Sequence, residues 1–283
     1  MDSSISHEVD QALARLEAVI RGYGPTLTAF SGGVDSTLVA TVAARVHGPQ
    51  ALAVTGVSAS LADSEREHAV RLAAELGLRH RLIDTHELAR PGYRQNAGDR
   101  CYHCKTELFE RLRELAATEG FAVIASGDNL DDLGDHRPGL RAAEEHEVRK
   151  PLIEAGLGKP LIRAIASRLG LPNHQKPAAP CLASRVPAGT RVSPEILAKI
   201  EAAEAGVRAL GFVELRVRHH GELARIELPI ADLERALGRR VELLAAVKRA
   251  GYSFVALDLA GFRSGSLNIL SPAGGSLSNG GER

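Results

Sequence analysis

The sequence predicts an α/β protein: a parallel sheet with helices on both faces, then a small C-terminal α+β domain. Three observations predict it. Short apolar runs alternate with helical patterns through the first half. After about residue 175 the order becomes helix, strand, strand, helix, strand. The 283 residues suffice for two moderate domains, each with its own core. The expected division is residues 1–175, residues 176–270, and a Gly/Ser-rich tail, 271–283, expected to be disordered.

Each element has a local reason. PTLTAFSGG (25–33) is an apolar run closed by glycines, and VDSTLVATVAARV then has helical spacing. ALAVTGVSA (51–59) is a second strand, followed by the charged helix SEREHAVRLAAELG. RHRLIDTH (79–86) is the third strand. The helix CKTELFERLRELAATEG leads into a fourth, FAVIASGDN (121–129). In such sheets ligands bind beyond the carboxyl ends of the strands, where SGGVDS, TGVSAS and SGDNLDD all fall. In the second half, Ser193 and Pro194 cap a helix over SPEILAKIEAAEAGVRALG. VELRVRHHGELARIELP reads as two strands around a His-His-Gly-Glu turn, ADLERALGRRVELLAAVKRAG as a helix, and SFVALDL as the last strand.

Composition narrows the function classes. Lys plus Arg and Asp plus Glu stand at 35 each, so no charge excess points to nucleic acid or a lipid surface. The start of the chain is acidic and amphipathic, unlike a secretory signal, and no run of about 18 apolar residues could span a membrane. A soluble, cytoplasmic protein is expected. Cys101, Cys104 and Cys181 are its three cysteines, an odd number that excludes a fully paired disulfide framework.

AFSGGVDST (29–37) leaves a strand, crosses Ser-Gly-Gly and enters a helix, so backbone amides and the helix N-terminus can hold an anion. Ser31 and Ser36 add hydroxyls, and Asp35 adds a carboxylate able to hold Mg²⁺. No Gly-Lys-Ser/Thr follows, so this is not a Walker loop. SGGVDS resembles the PP-loop signature of the ATP pyrophosphatases, whose fold is that of the adenine nucleotide alpha hydrolases. That resemblance implies ATP cleaved between the α- and β-phosphates. Ser31, Gly32, Gly33, Asp35 and Ser36 would cradle the pyrophosphate, with Thr55 to Ser58 near the adenine.

DRCYHCK (99–105) places Cys101 and Cys104 at a helix start. Such a pair can chelate a metal, act as a redox dithiol, or be accidental. Zinc wants four ligands, and a thioredoxin-like dithiol leaves Cys181 unexplained. An iron–sulfur cluster held by three thiolates uses every cysteine and leaves one iron open.

KPAAPCLASRVPAGTRVS, GDNLDDLGDHRPGLRAAEEHEVRKPL and RSGSLN together resemble the LarE family, the ATP-dependent sulfur transferases of nickel-pincer nucleotide biosynthesis. The resemblance runs from the PP-loop to about Asn268, with departures from the family pattern at Asp128, His136 and Ala188. It implies that the carboxylates of a pyridinium-3,5-biscarboxylic acid mononucleotide are adenylated and then converted to thiocarboxylates. In one branch Cys181 would be a sacrificial sulfur donor left as dehydroalanine. In the other, Cys101, Cys104 and Cys181 would hold a [4Fe-4S] cluster whose open iron carries a sulfide. This chain matches the second pattern. The family further implies a homo-oligomer, a hexamer being the form expected, supplied by sulfide or another sulfur donor.

Supporting residues follow. Arg216 and Arg218 alternate onto one side of a strand and suit the substrate's 5′-phosphate; the plainer alternative is a face paired with Arg225 and Glu227. Glu204 and Glu227 are candidate holders of a divalent cation, although Glu201 and Glu204 also fit a solvated helix face. Gly127 and Asp128, with Asp131 and Asp132, fall where Mg²⁺ and the α-phosphate would lie, or serve as helix caps. Arg137 is the candidate contact to the adenylate, and Ser58 a nucleotide contact. His80, His174 and His219 read as surface or packing groups. A cluster-dependent tRNA thiolase is the more distant alternative, but a neutral chain with 4% aromatic residues and no Trp lacks basic stripes and stacking rings. A nucleotide-sensing module with a structural metal is the remaining, non-enzymatic one.

Overall fold

The computed structural model describes residues 3–134 and 138–263. Arg137, His136, the segment Ser264–Asn268 and the expected tail 271–283 lie outside the described residues. The chain divides into two compact units. One comprises residues up to Arg90 together with Asp99–Ala179, and the other Pro91–Gly98 together with residues from Pro180 onward.

The first unit opens with α1 (Ser3–Arg21), then β1 (Thr26–Ala29), α2 (Val34–His47), β2 (Ala51–Val57), α3 (Asp63–Glu75) and β3 (His80–Asp84). After α4 (Pro91–Gln95), which belongs to the second unit, it continues with α5 (Arg100–Glu119), β4 (Val123–Ala125), α6 (Pro138–Glu145), α7 (Pro151–Glu154) and α8 (Lys159–Arg168). The sheet order is β3-β2-β1-β4, all parallel. β1 is central and every one of its residues is buried, as a strand covered on both faces requires. β3 lies at the edge and keeps two of its five residues exposed.

Helices cover both faces. Leu16 and Ile20 of α1, Leu38 and Val42 of α2, and Ile162 and Ile165 of α8 form one core. Leu27, Leu52 and Val54 of the strands meet Phe109 and Leu112 of α5 and Ala142 and Ala143 of α6 in another. No helix of the described residues is long and apolar enough to cross a membrane.

The second unit holds α9 (Pro194–Arg208), β5 (Arg216–His220), β6 (Leu223–Glu227), α10 (Leu233–Gly238), α11 (Arg240–Arg249) and β7 (Phe254–Leu257). Its sheet is β5-β6-β7, antiparallel then parallel. Ser193 caps α9 as its sequence predicts, its Oγ accepting from Ile196 N at 3.4 Å. The helix expected over 231–251 is broken at Arg239, just after Gly238, a weak helix former. The break lets α11 lie against α9, where Gly206 admits Ala246 so closely that a Cβ there would stand 3.2 Å from the alanine methyl.

Candidate functional site

In the first unit the loop after β1 is built from short polar contacts. Gly32 takes φ +70°, open to glycine at no steric cost, and an added Cβ would meet Ala69 Cα and His68 at 3.2 Å. Ser31 N donates to Ser36 Oγ at 3.2 Å, the two hydroxyls lie 3.1 Å apart, and Ser36 Oγ donates to Gly33 O at 3.2 Å. Gly33 is the N-cap of α2 and makes no side-chain cap bond, so first-turn amides are left for an anion.

Three further groups hold the loop that sequence patterning did not single out. Asn173 Nδ2 donates to Gly32 O at 3.1 Å and to Thr37 Oγ1 at 2.9 Å. His68 Nε2 lies 3.3 Å from the same Gly32 carbonyl, and burial, with Lys176 nearby, lowers its pKa. Lys159, the first residue of α8, sets its ammonium on Asp35 Oδ2, while Asp35 Oδ1 is buried with no hydrogen-bond partner among the described residues. Gly158 followed by Lys159-Pro160 is a readable helix start, and its position beside the phosphate loop is a tertiary fact.

The neighbouring strand ends converge on this loop. A Cβ on Gly127 would lie 2.8 Å from Ser36 N, so the SGD turn after β4 must approach α2 as bare backbone. Asp128 accepts from Ser126 Oγ at 2.5 Å. Asp131 accepts from Lys159 N at 2.6 Å and Asp132 from Asn129 N at 2.9 Å, which are capping roles. At the end of β2, Ser58 Oγ donates to Glu87, a carboxylate only 2% exposed, and accepts from Ser60 N at 3.1 Å. His80 hydrogen-bonds Thr55 Oγ1 at 2.8 Å, and His174 bonds the Leu171 carbonyl, both packing roles.

Cys101 and Cys104 lie three residues apart at the start of α5, on one face, the first exposed and the second half-buried. His103 turns to Asp99 at 3.2 Å.

In the second unit Cys181 is exposed, with extended backbone, at the N-cap of a 3₁₀ turn over Leu182–Arg185. Its loop is organised from beneath by Arg185. That guanidinium donates to the carbonyls of Pro180 and Cys181 at 2.5 and 2.9 Å, and pairs through Nε and Nη2 with Glu204 at 2.9 and 3.3 Å. Glu204, wholly buried, also accepts from Arg208 and from Val217 N. Burial opposes its ionisation, but Arg185, the Val217 amide and Arg208 together hold its pKa below the usual range.

Glu204 and Glu227, the candidate cation holders, are each held by arginines. Glu227 is likewise wholly buried and takes Arg218 Nη2 at 2.9 Å and Arg225 Nη2 at 3.2 Å, so arginines already neutralise both carboxylates. The two strand arginines also differ. Arg218 is 5% exposed, tied to Glu227 and to the Ser184 carbonyl at 3.0 Å. Arg216 has its pKa lowered to about 10 by burial and then by the surrounding arginines, and it lies over the Phe262 ring. His219 is buried against Tyr252. Among the described residues no three His, Cys, Asp or Glu side chains form a group able to hold a metal ion.

The asparagine synthase family profile matches residues 8–91, the segment that carries β1 to β3 and the phosphate loop. An uncharacterized protein of Synechocystis sp. is 45% identical over 247 residues, 86% of this chain and 91% of that protein. The pyridinium-3,5-bisthiocarboxylic acid mononucleotide synthase of Lactiplantibacillus plantarum is 38% identical over 256 residues, 90% of this chain and 93% of the synthase. An uncharacterized protein of Methanocaldococcus jannaschii is 29% identical over 84% of this chain and 90% of its own length.

Proposed function

The chain belongs to the LarE family, ATP-dependent sulfur transferases on a PP-loop ATP pyrophosphatase domain, and from that premise we propose its reaction. It adenylates the carboxylates of a pyridinium-3,5-biscarboxylic acid mononucleotide and converts them to thiocarboxylates for a nickel-pincer nucleotide cofactor. The observation that carries this reading is the uncapped first turn of α2 over Ser-Gly-Gly, with one buried oxygen of Asp35 unpartnered beside it.

A substrate carboxylate oxygen bonds to the α-phosphorus of ATP, and the α–β bridging oxygen leaves with its electron pair as pyrophosphate. Amides of the SGG loop and the α2 dipole stabilise the charge on that leaving group. Mg²⁺, when bound with ATP, neutralises phosphate charge, and the orphaned Asp35 Oδ1 fits it as a hard oxygen ligand. Lys159, on the other oxygen of Asp35, adds positive charge at the loop. A sulfur nucleophile then attacks the acyl carbon and AMP departs with the carbon–oxygen electron pair. Adenylation is needed because a free carboxylate has no adequate leaving group. Arg216 contacts the substrate phosphate, and Arg218 holds the strand for it through Glu227.

Three thiols with two on one helical turn are a donor set suited to an iron–sulfur cluster, so Cys101, Cys104 and Cys181 would hold it. When bound, such a cluster would supply a Lewis-acidic iron not ligated by cysteine, suited to sulfide from an external donor. A second reading, Cys181 as consumed sulfur donor, is favoured by its exposure at the tip of a clamped loop. The enzyme is proposed to work as a cytoplasmic homo-oligomer, a hexamer being the expected form, and not on nucleic acid.

Intact mass after turnover, on anaerobically iron-reconstituted protein given sulfide, separates these readings. Unchanged mass with many products per chain supports the cluster. Loss of the elements of hydrogen sulfide from Cys181 after one turnover supports sacrifice. Absence of any thiocarboxylate with substrate, ATP and sulfide present would reject both.

A further inference from the structure

The second unit contains a cleft outside the groups used above, of about 310 Å³, lined by Pro91, Arg94, Gln95, Gly189 and Arg191. Its frame is held from both sides. Asn96 Nδ2 donates to the carbonyls of Pro187 and Thr190 at 2.8 and 3.0 Å, and Gly189 N returns a bond to Asn96 O at 2.8 Å. Val192 N bonds Arg94 O at 2.9 Å. Asn96 itself is 3% exposed and takes φ +54°, a conformation uncommon for a non-glycine residue. Such strain persists only where surrounding bonds over-determine it, and it concentrates at binding sites.

The cleft is positively charged without compensation. Among the described residues no carboxylate pairs with Arg94 or Arg191, whereas Arg185, Arg208, Arg218 and Arg225 of the same unit all have acidic partners. Arg94 Nε is buried with no hydrogen-bond partner among the described residues. A buried guanidinium donor left unsatisfied costs free energy and calls for an acceptor. Two arginines and an amide, with no acid, suit an oxyanion having several acceptor oxygens, and guanidinium forks match phosphate geometry. The volume exceeds a bare phosphate and falls at the low end of small-molecule sites.

We propose that Arg94 and Arg191 form a binding site for the phosphate group of a small phosphate monoester, separate from the phosphate role assigned to Arg216. The site does not depend on ATP, the cluster or sulfur transfer, so its failure and theirs are distinguishable. The test is calorimetric titration of the full chain with ribose 5-phosphate and, separately, inorganic phosphate, at moderate salt. Saturable binding of ribose 5-phosphate is expected, weakened about tenfold or more in Arg191→Gln and in Arg94→Gln, as loss of a charge-assisted bond implies. Arg216→Gln should leave the Arg191-dependent component of that binding unchanged. Arg191 is exposed, so its variant carries the test alone should Arg94→Gln misfold. Equal affinity for inorganic phosphate would overturn the monoester assignment. No saturable binding, or binding lost in Arg216→Gln and kept in Arg191→Gln, would overturn the site.

Discussion

The phosphate loop and the Cys181 loop are both short turns to which the proposed function gives a reactive role, yet they are built in opposite ways. Around Ser31–Ser36 the contacts are hydroxyl and backbone bonds of 3.1 to 3.3 Å and a single ion pair, Lys159 on Asp35, whose other carboxylate oxygen has no partner among the described residues. That loop is completed by charge a ligand brings. Around Cys181 the charges are already internal: Arg185 clamps the loop carbonyls and Glu204, wholly buried, neutralises Arg185 and Arg208. In the proposed function the first loop recognises a ligand, and the second holds a thiol in place whatever is bound.

The sharpest way to break this contrast is Glu204→Ala. It strands Arg185 and Arg208, and removing one partner of such a buried pair costs about 3–5 kcal/mol. Chemical denaturation should show a loss on that scale, and thiocarboxylate formation should fall with it. A loss under about 1 kcal/mol, the level of an exposed pair, would mean the clamp is not internal.

The same carboxylate predicts a pH signature. Its folded pKa is depressed, so its stabilisation is full above the ordinary glutamate range and is lost as pH falls from that range through the folded value. Denaturation midpoints of wild type and Glu204→Gln should therefore converge under acid and separate toward neutrality. Parallel curves would contradict the assignment.

On the phosphate-loop side, Gly127→Ala drives a methyl to within 2.8 Å of Ser36 N. Overpacking of this kind typically costs about 1–3 kcal/mol. The comparison sharpens if ATP affinity falls while Cys181 alkylation kinetics stay unchanged. The smallest effect is expected from Ser193→Ala, which removes a helix cap worth about 1 kcal/mol and touches neither loop. It should lower the melting temperature and leave ATP binding intact.

Much of the fold was legible in local pattern. Short apolar runs marked β1, β2 and β4, and Ser193-Pro194 marked the start of α9. The strand alternation around Val217 was legible too, but the depth of Arg218 was not. The pairing of that face with Glu227 was readable as the plainer alternative, whereas the complete burial of Glu227 that draws Arg218 inward is set by packing that no spacing along one strand reveals. The principal partner of Glu204 was not legible, because Arg185 reaches it only through the tertiary fold. Lys159 and Asn173 escaped notice because each reaches the phosphate loop from more than a hundred residues away. The short helix α4 belongs with the second unit although it lies inside the first unit's stretch of sequence, a chain path that a linear division at residue 175 does not contain.

The central claim is that activation belongs to the phosphate loop and sulfur delivery to the cysteines. It is tested most directly by substrate-dependent ATP–pyrophosphate exchange in the triple variant Cys101→Ala, Cys104→Ala, Cys181→Ala, with the product mixture analysed for thiocarboxylate. The expected result is exchange at the wild-type rate and no thiocarboxylate. Exchange abolished in a folded variant, or thiocarboxylate still formed, would contradict it.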